Sequence, residues 1–149
     1  INNRIGYYIR DGQHDITETD WDNYIAFAND LIVELDSNGD ASTSMYSESN
    51  KRYTPDTAGY YYFVVQCALD DVSDGASLGS SLWKNGANVR DVEMRIGSSS
   101  GTKATSCSSI EYMNGSSDYI EGRVKHADGS SRVIIGAHYS IFAGYKLGT

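Results

Sequence analysis

The chain has 149 residues and a mass of 16.3 kDa, with twelve Lys and Arg against twenty Asp and Glu, a formal net charge of −8 and a pI near 4.7. A length of this order makes one domain over residues 1–149, able to bury roughly 68–70% of the surface its unfolded chain exposes. Such acidity repels phosphate backbones and no basic stripe offsets it, so no nucleic-acid partner is expected; no apolar run approaches the ~18 residues of a membrane span, so neither is membrane insertion.

The chain begins at Ile1 and not at Met, which points to a processed form or a fragment of something longer. Residues 1–20 read as an N-terminal strand or as the connection to an upstream part. Short β-branched and aromatic runs separated by Gly, Asn, Asp and Ser predict strands over 5–10, 24–27, 31–35, 51–53, 59–69, 80–84, 89–96, 108–112, 119–126, 133–139 and 141–147. Turn signals fall between them, among them "DSNGD", "KNGAN", "GSSSGT", "MNGSSD" and "HADGSS". Asn85-Gly86 is the strongest hairpin signal, because that pair tolerates the positive φ angles of tight turns. No window sustains a 3.6-residue apolar period, and "WDNYIAFAND", the best helical candidate, fits a strand equally well. Many short strands at this spacing predict an all-β sandwich or barrel.

The predicted strand over 59–69 poses a question. Side chains alternate along a strand, so Tyr61, Phe63, Val65, Cys67 and Leu69 share one wholly apolar face. Tyr60, Tyr62, Val64, Gln66 and Ala68 share the other, which is too aromatic for an ordinary solvent face. Either a second layer of the same chain covers it or another chain does.

Candidate chemistry is sparse. Serines abound without a Gly-x-Ser-x-Gly elbow, and His14, His126 and His138 stand in unrelated contexts. His138 reads as a packed histidine, His14 and His126 as solvated ones. Cys67 lies on the apolar face and Cys107 in the polar stretch "GTKATSCSS", so a buried free thiol and a loop thiol are preferred to a disulfide. Asp36, Asn38 and Asp40 alternate as in the first half of a calcium loop, but the glycine falls at position four and position twelve is Ser47. Asp70, Asp71 and Asp74 are the candidate calcium ligands, set against the preferred reading of a solvated acidic turn. Apart from that candidate calcium, no cofactor is expected. Carboxylates are plentiful, yet nothing singles out a glycosidase pair. Trp83 is the candidate ligand contact and Trp21 a second sugar-stacking candidate, with packing at a strand end the preferred alternative. No catalytic residues are assigned and no enzyme is expected.

Three segments carry a resemblance. From Tyr46 through Tyr53 to Gly59, Tyr61, Phe63 and Val65, the spacing is similar to the aromatic signature of C1q-like domains, with Tyr53 where Phe is usual and Val65 in place of the last aromatic. "SSLWKNGANV" resembles the family's L-Y-x-N-G hairpin through Leu82, Trp83, Asn85 and Gly86. "SSDYIEGRV" and "SIFAGYKL" resemble its last two strand motifs through Asp118, Ile120, Ser140, Phe142, Gly144 and Leu147. The amino-terminal part of the signature does not align at the family spacing.

The resemblance implies a ten-stranded C1q-like jelly-roll sandwich, related to tumour-necrosis-factor domains, in a compact homotrimer. It places the strand of Tyr61 and Phe63 in an inner sheet beside the strands of 141–147 and 119–126. A core of Tyr61, Phe63, Val65, Ile120, Val124 and Phe142 follows, and a trimer interface of Tyr60, Tyr62, Val64, Tyr119, Glu121, Arg123 and Tyr145. The richness in Asn, Asp and Ser resembles tailed-phage appendages: a non-enzymatic fibre, head-fibre or decoration protein on the virion surface, in contact with other virion proteins and binding a host-surface glycan or receptor through its loops. The alternative is a secreted or cell-surface C1q/TNF-like ligand or a bacterial surface-display domain, with a polysaccharide-degrading enzyme a distant third.

Overall fold

The computed structural model describes residues 4–5, 8–9, 14–16, 46–47, 50, 52–97, 101–128, 132–135 and 137–149. Twelve strands are found among them: β1 (Arg4–Ile5), β2 (Tyr8–Ile9), β3 (His14–Ile16), β4 (Tyr46–Ser47), β5 (Arg52–Tyr53), β6 (Ala58–Leu69), β7 (Ser77–Lys84), β8 (Ala87–Arg95), β9 (Lys103–Asn114), β10 (Ile120–His126), β11 (Arg132–Ile134) and β12 (Ala137–Gly148). The described residues contain no helix. The predicted strands over 24–27 and 31–35, Trp21 and the alternating Asp36–Asn38–Asp40 triplet lie outside the described residues.

Two antiparallel sheets face each other. In the seven-stranded sheet, β6 lies between β9 along its full length and β12, with β11 pairing its far end. β1 and β2 extend the sheet beyond β12, and β3 extends it beyond β11. The five-stranded sheet runs β4-β5-β10-β7-β8. This is the layout of a jelly-roll sandwich. Strands from distant parts of the chain pair while each sheet keeps one face for the core.

The core is built from the alternation of β6. Tyr61, Phe63, Val65, Cys67 and Leu69 are all fully buried, with Ile120 and Val124 from β10, Leu78 and Leu82 from β7, and Phe142 from β12. Phe63 is the hub: its ring stacks on Tyr61 at 5.9 Å and Phe142 at 6.3 Å, and meets Tyr53 edge-on at 6.2 Å across the sandwich. Tyr61 buries its ring, and its hydroxyl donates to the Thr57 carbonyl at 2.8 Å. Burial pushes that phenol up to about 12. Two glycines are dictated by close approach. A Cβ at Gly59, where φ is +152°, would collide with the Gly148 carbonyl oxygen, and one at Gly144 with that of Tyr62.

Several sequence expectations are corrected here. Residues 119–126 do not join the sheet of β6. Residues 120–126 form β10, paired with β5 and β7 in the other sheet, and the neighbour of β6 opposite β12 is β9. β9 begins at Lys103, so all but the first two residues of the polar stretch "GTKATSCSS" are strand. Cys107 is accordingly buried, its thiol 3.4 Å from the Ser80 carbonyl oxygen, and is no loop thiol. His126, the last residue of β10, is fully buried and is no solvated histidine; its Nδ1 accepts the Asp128 N–H at 3.4 Å. Predicted strands over 133–139 and 141–147 are divided differently, as β11 and one long β12.

Candidate functional site

The outward face of the seven-stranded sheet carries the second set of side chains from β6. Register brings Tyr60 opposite Tyr112, Tyr62 between Ile110 and Tyr145, and Val64 between Ser108 and Ala143. Tyr60 and Tyr112 meet edge-on at 5.3 Å, and Tyr62 tilts against Tyr145 at 5.5 Å. In this single chain Ile110 is 58%, Tyr60 50%, Leu147 49%, Tyr112 47% and Tyr145 43% exposed. Leu147 reaches the same end of the sheet where the β12–β6 register shifts between Lys146 and Gly148. Large apolar side chains gathered on one face of a soluble chain mark a surface made to be covered. At the other end of the face the rows turn polar: Gln66 lies opposite Ser106, and its amide donates to the Tyr139 carbonyl at 2.8 Å.

Of the interface residues expected from sequence, Tyr60, Tyr62, Val64 and Tyr145 stand on this face. Tyr119, Glu121 and Arg123 do not. They lie on the outward face of the five-stranded sheet, on the opposite side of the sandwich. There Arg123 places its guanidinium 4.1 Å over the Trp83 ring and bonds the Glu121 carboxylate at 2.7 Å. Arg52 sits 4.2 Å over the Tyr119 ring. The charges pair within the chain, and Glu121 is only 5% exposed. Trp83, the candidate ligand contact, is half-buried with a guanidinium over its ring and its indole N–H donating to Ser81 at 2.8 Å. Sequence missed Ile110 and Tyr112 for the open face. They alternate with Ser109 and Glu111 in "SSIEYMN", which is a strand signal, but β9 was assigned no sheet.

The acidic turn after β6 is held by a residue sequence did not single out. Asp128 bonds Arg132 at 2.7 Å and accepts the Ser73 hydroxyl at 2.9 Å. The Arg132 hydrogen bond, with those from Ser73, holds this carboxyl well below the ordinary range. Asp71 adds its charge to the field at Arg132. Asp70, Asp71 and Asp74 do not converge, and among the described residues no three His, Cys, Asp or Glu side chains form a metal-ligand set.

The charge of the chain is unevenly placed. Residues 46–149 carry ten Lys and Arg against eleven Asp and Glu, and residues 1–45 two against nine. Residues 46–149 are therefore close to neutral.

No protein-family model matches the chain, and no curated protein sequence matches it. Solved structures do. Eiger TNF from S. frugiperda aligns over 99% of this chain and 92% of its own, with a TM-score of 0.65 at 15% identity. Murine APRIL aligns over 65% of this chain and 73% of its own, with a TM-score of 0.53 at 13% identity. The chain thus has a TNF/C1q-like jelly-roll fold. At these identities the likeness is one of fold.

Proposed function

We propose that this chain is a non-enzymatic recognition module that closes into a homotrimer through the open face of its seven-stranded sheet and binds a cell-surface protein or glycan through its loops. The paired tyrosine rows, Tyr60–Tyr112 and Tyr62–Tyr145 with Ile110 between them, carry the reading. They offer one protomer an apolar surface that a second can cover. The other half of the contact is the side of the sandwich where β8 and β9 end their sheets without a further strand among the described residues. A face that receives an edge is a heterologous contact, and such a contact closes into a ring when the rotation is right. Residues 46–149, with ten Lys and Arg against eleven Asp and Glu, add little repulsion to that closure.

The TNF-family fold neighbours support the secreted or cell-surface ligand setting over the virion setting that composition suggested. A non-catalytic role is supported by the burial of both thiols and of His126. The turn over residues 70–76, fixed from beneath by Asp128, is a loop on a rigid scaffold, the usual place for recognition. Three copies per trimer turn weak single contacts into avidity. Sedimentation equilibrium at micromolar concentration tests the assembly: three times the 16.3 kDa chain mass is expected. A single 16.3 kDa species across ordinary buffers overturns it.

A further inference from the structure

The chain contains a single Asn-x-Ser/Thr triplet, Asn114-Gly115-Ser116. Asn114 is the exposed last residue of β9, and the turn that follows is organised around its side chain. Its Oδ1 accepts the backbone N–H groups of Ser116 at 3.0 Å, Ser117 at 2.9 Å and Asp118 at 3.0 Å, and the Ser116 hydroxyl at 3.3 Å. Its Nδ2 donates one hydrogen to the Ser117 hydroxyl at 2.8 Å and has a second that is not engaged among the described residues. Gly115 has φ +72°, and a Cβ there would collide with the backbone of Thr57 and Ala58, so the middle residue of the triplet is fixed as glycine.

We propose that Asn114 is an N-glycosylation site of this chain, an inference that rests on the secreted or cell-surface reading above. The sequon is an acceptor on a surface turn, and this turn meets the requirement twice. Asn114 is exposed, its Nδ2 keeps one hydrogen not engaged among the described residues, and the four bonds to Oδ1 that shape the turn are left in place by attachment at Nδ2. The donor class is a polyprenol diphosphate oligosaccharide. A bond forms between Nδ2 and sugar C1, the C1–O bond to the diphosphate breaks with its electron pair leaving on oxygen, and one Nδ2 proton passes to the transferase base. No electrons are exchanged.

Placement keeps the sugar away from the recognition turn. Asn114 is paired with Ala58, two rungs beyond the Tyr60–Tyr112 pair and on the same outward face, so the glycan stands at the end of that face. β6 separates this end from the 70–76 turn by its twelve residues, about 40 Å at the rise of a strand. The sugar-bearing end and the recognition turn are therefore opposite ends of the sandwich.

The test uses the full natural protein expressed in eukaryotic cells, with mass spectrometry of the Asn114 peptide before and after peptide N-glycosidase treatment in heavy-oxygen water. Occupancy at Asn114 is expected, abolished by Ser116→Ala and retained by Ser116→Thr. Ser116→Ala removes one hydroxyl contact and leaves the three backbone bonds to Oδ1, so the turn still forms. A secreted chain with bare Asn114 overturns the inference, as does a chain that never leaves the cytosol. Sedimentation of the same material separates the two readings. A bare trimer overturns the glycan alone, and a glycosylated monomer overturns the trimer alone.

Discussion

Arg123 covers Trp83: the guanidinium carbon lies 4.1 Å from the ring centroid while the same group bonds Glu121 at 2.7 Å. The contact joins adjacent strands β10 and β7 on the outward face of the five-stranded sheet, where an open charge would otherwise stand. Arg123→Lys keeps the charge but loses the planar stack, and is expected to cost about 1 kcal/mol. Arg123→Ala removes the cation beside a nearly buried carboxylate. It is expected to cost about 2–3 kcal/mol, below the full value for an uncompensated buried charge because Arg123 is partly exposed. Guanidinium titration of the two variants checks the order; an Arg123→Lys variant as stable as wild type would show that the stack contributes nothing.

Neighbouring residues of β6 separate assembly from folding. Tyr62→Asp puts a charge on the open face and is expected to convert the trimer to monomer with the thermal transition of the monomer intact. Phe63→Ala, one position along and at the hub of the core, is expected to cost about 3–5 kcal/mol. Sedimentation and denaturant titration on both variants provide the comparison. A loss below 1 kcal/mol for Phe63→Ala would mean that the two faces of the strand are exchanged.

Asp128 makes stability depend on pH in one direction. Its folded carboxyl is held below the ordinary value by Arg132 and Ser73, so its contribution is complete above the unfolded value near 3.9 and is lost as pH falls towards the folded one. Wild type should exceed Asp128→Asn in stability at pH 7, with the gap closing from about pH 5 downwards. Unfolding curves of the two proteins at pH 7, 5, 4 and 3 check this; a gap that stays constant would place the effect in packing and not in charge.

The two cysteines are expected to stay reduced and unreactive in the folded chain. Register sets Cys67 opposite Thr105 and Cys107 opposite Val65, a diagonal pair with Cα atoms about 7–8 Å apart, beyond the usual disulfide range. Burial pushes the Cys107 thiol up to about 11, and the fully buried Cys67 thiol is also raised, chiefly by burial. Thiol titration with an aromatic disulfide at pH 8 should show no fast phase until denaturant is added. A fast stoichiometric reaction of either thiol would contradict the burial described.

Alternation along 59–69 was enough to divide ten side chains between two faces, because a strand's period of two is a property of its covalent geometry. The Asn85-Gly86 turn was legible for the same local reason: Asn85 has φ +52° and Gly86 +80°, values those residues accept most readily. Which sheet a strand enters is a different matter. Strand 119–126 alternates as well in one sheet as in the other, and only its pairing with β5 and β7 moved Glu121 and Arg123 to the far side of the sandwich. Cys107 and His126 look like surface residues by their polar neighbours, yet both are buried because the layer opposite them comes from elsewhere in the chain. Ile110 and Tyr112 became part of the aromatic face only when β9 was laid beside β6, opposite Tyr62 and Tyr60 far upstream. Face membership is settled within a few residues. The partner that makes a face into a core or a site is settled by contacts between distant segments, which only the folded chain supplies.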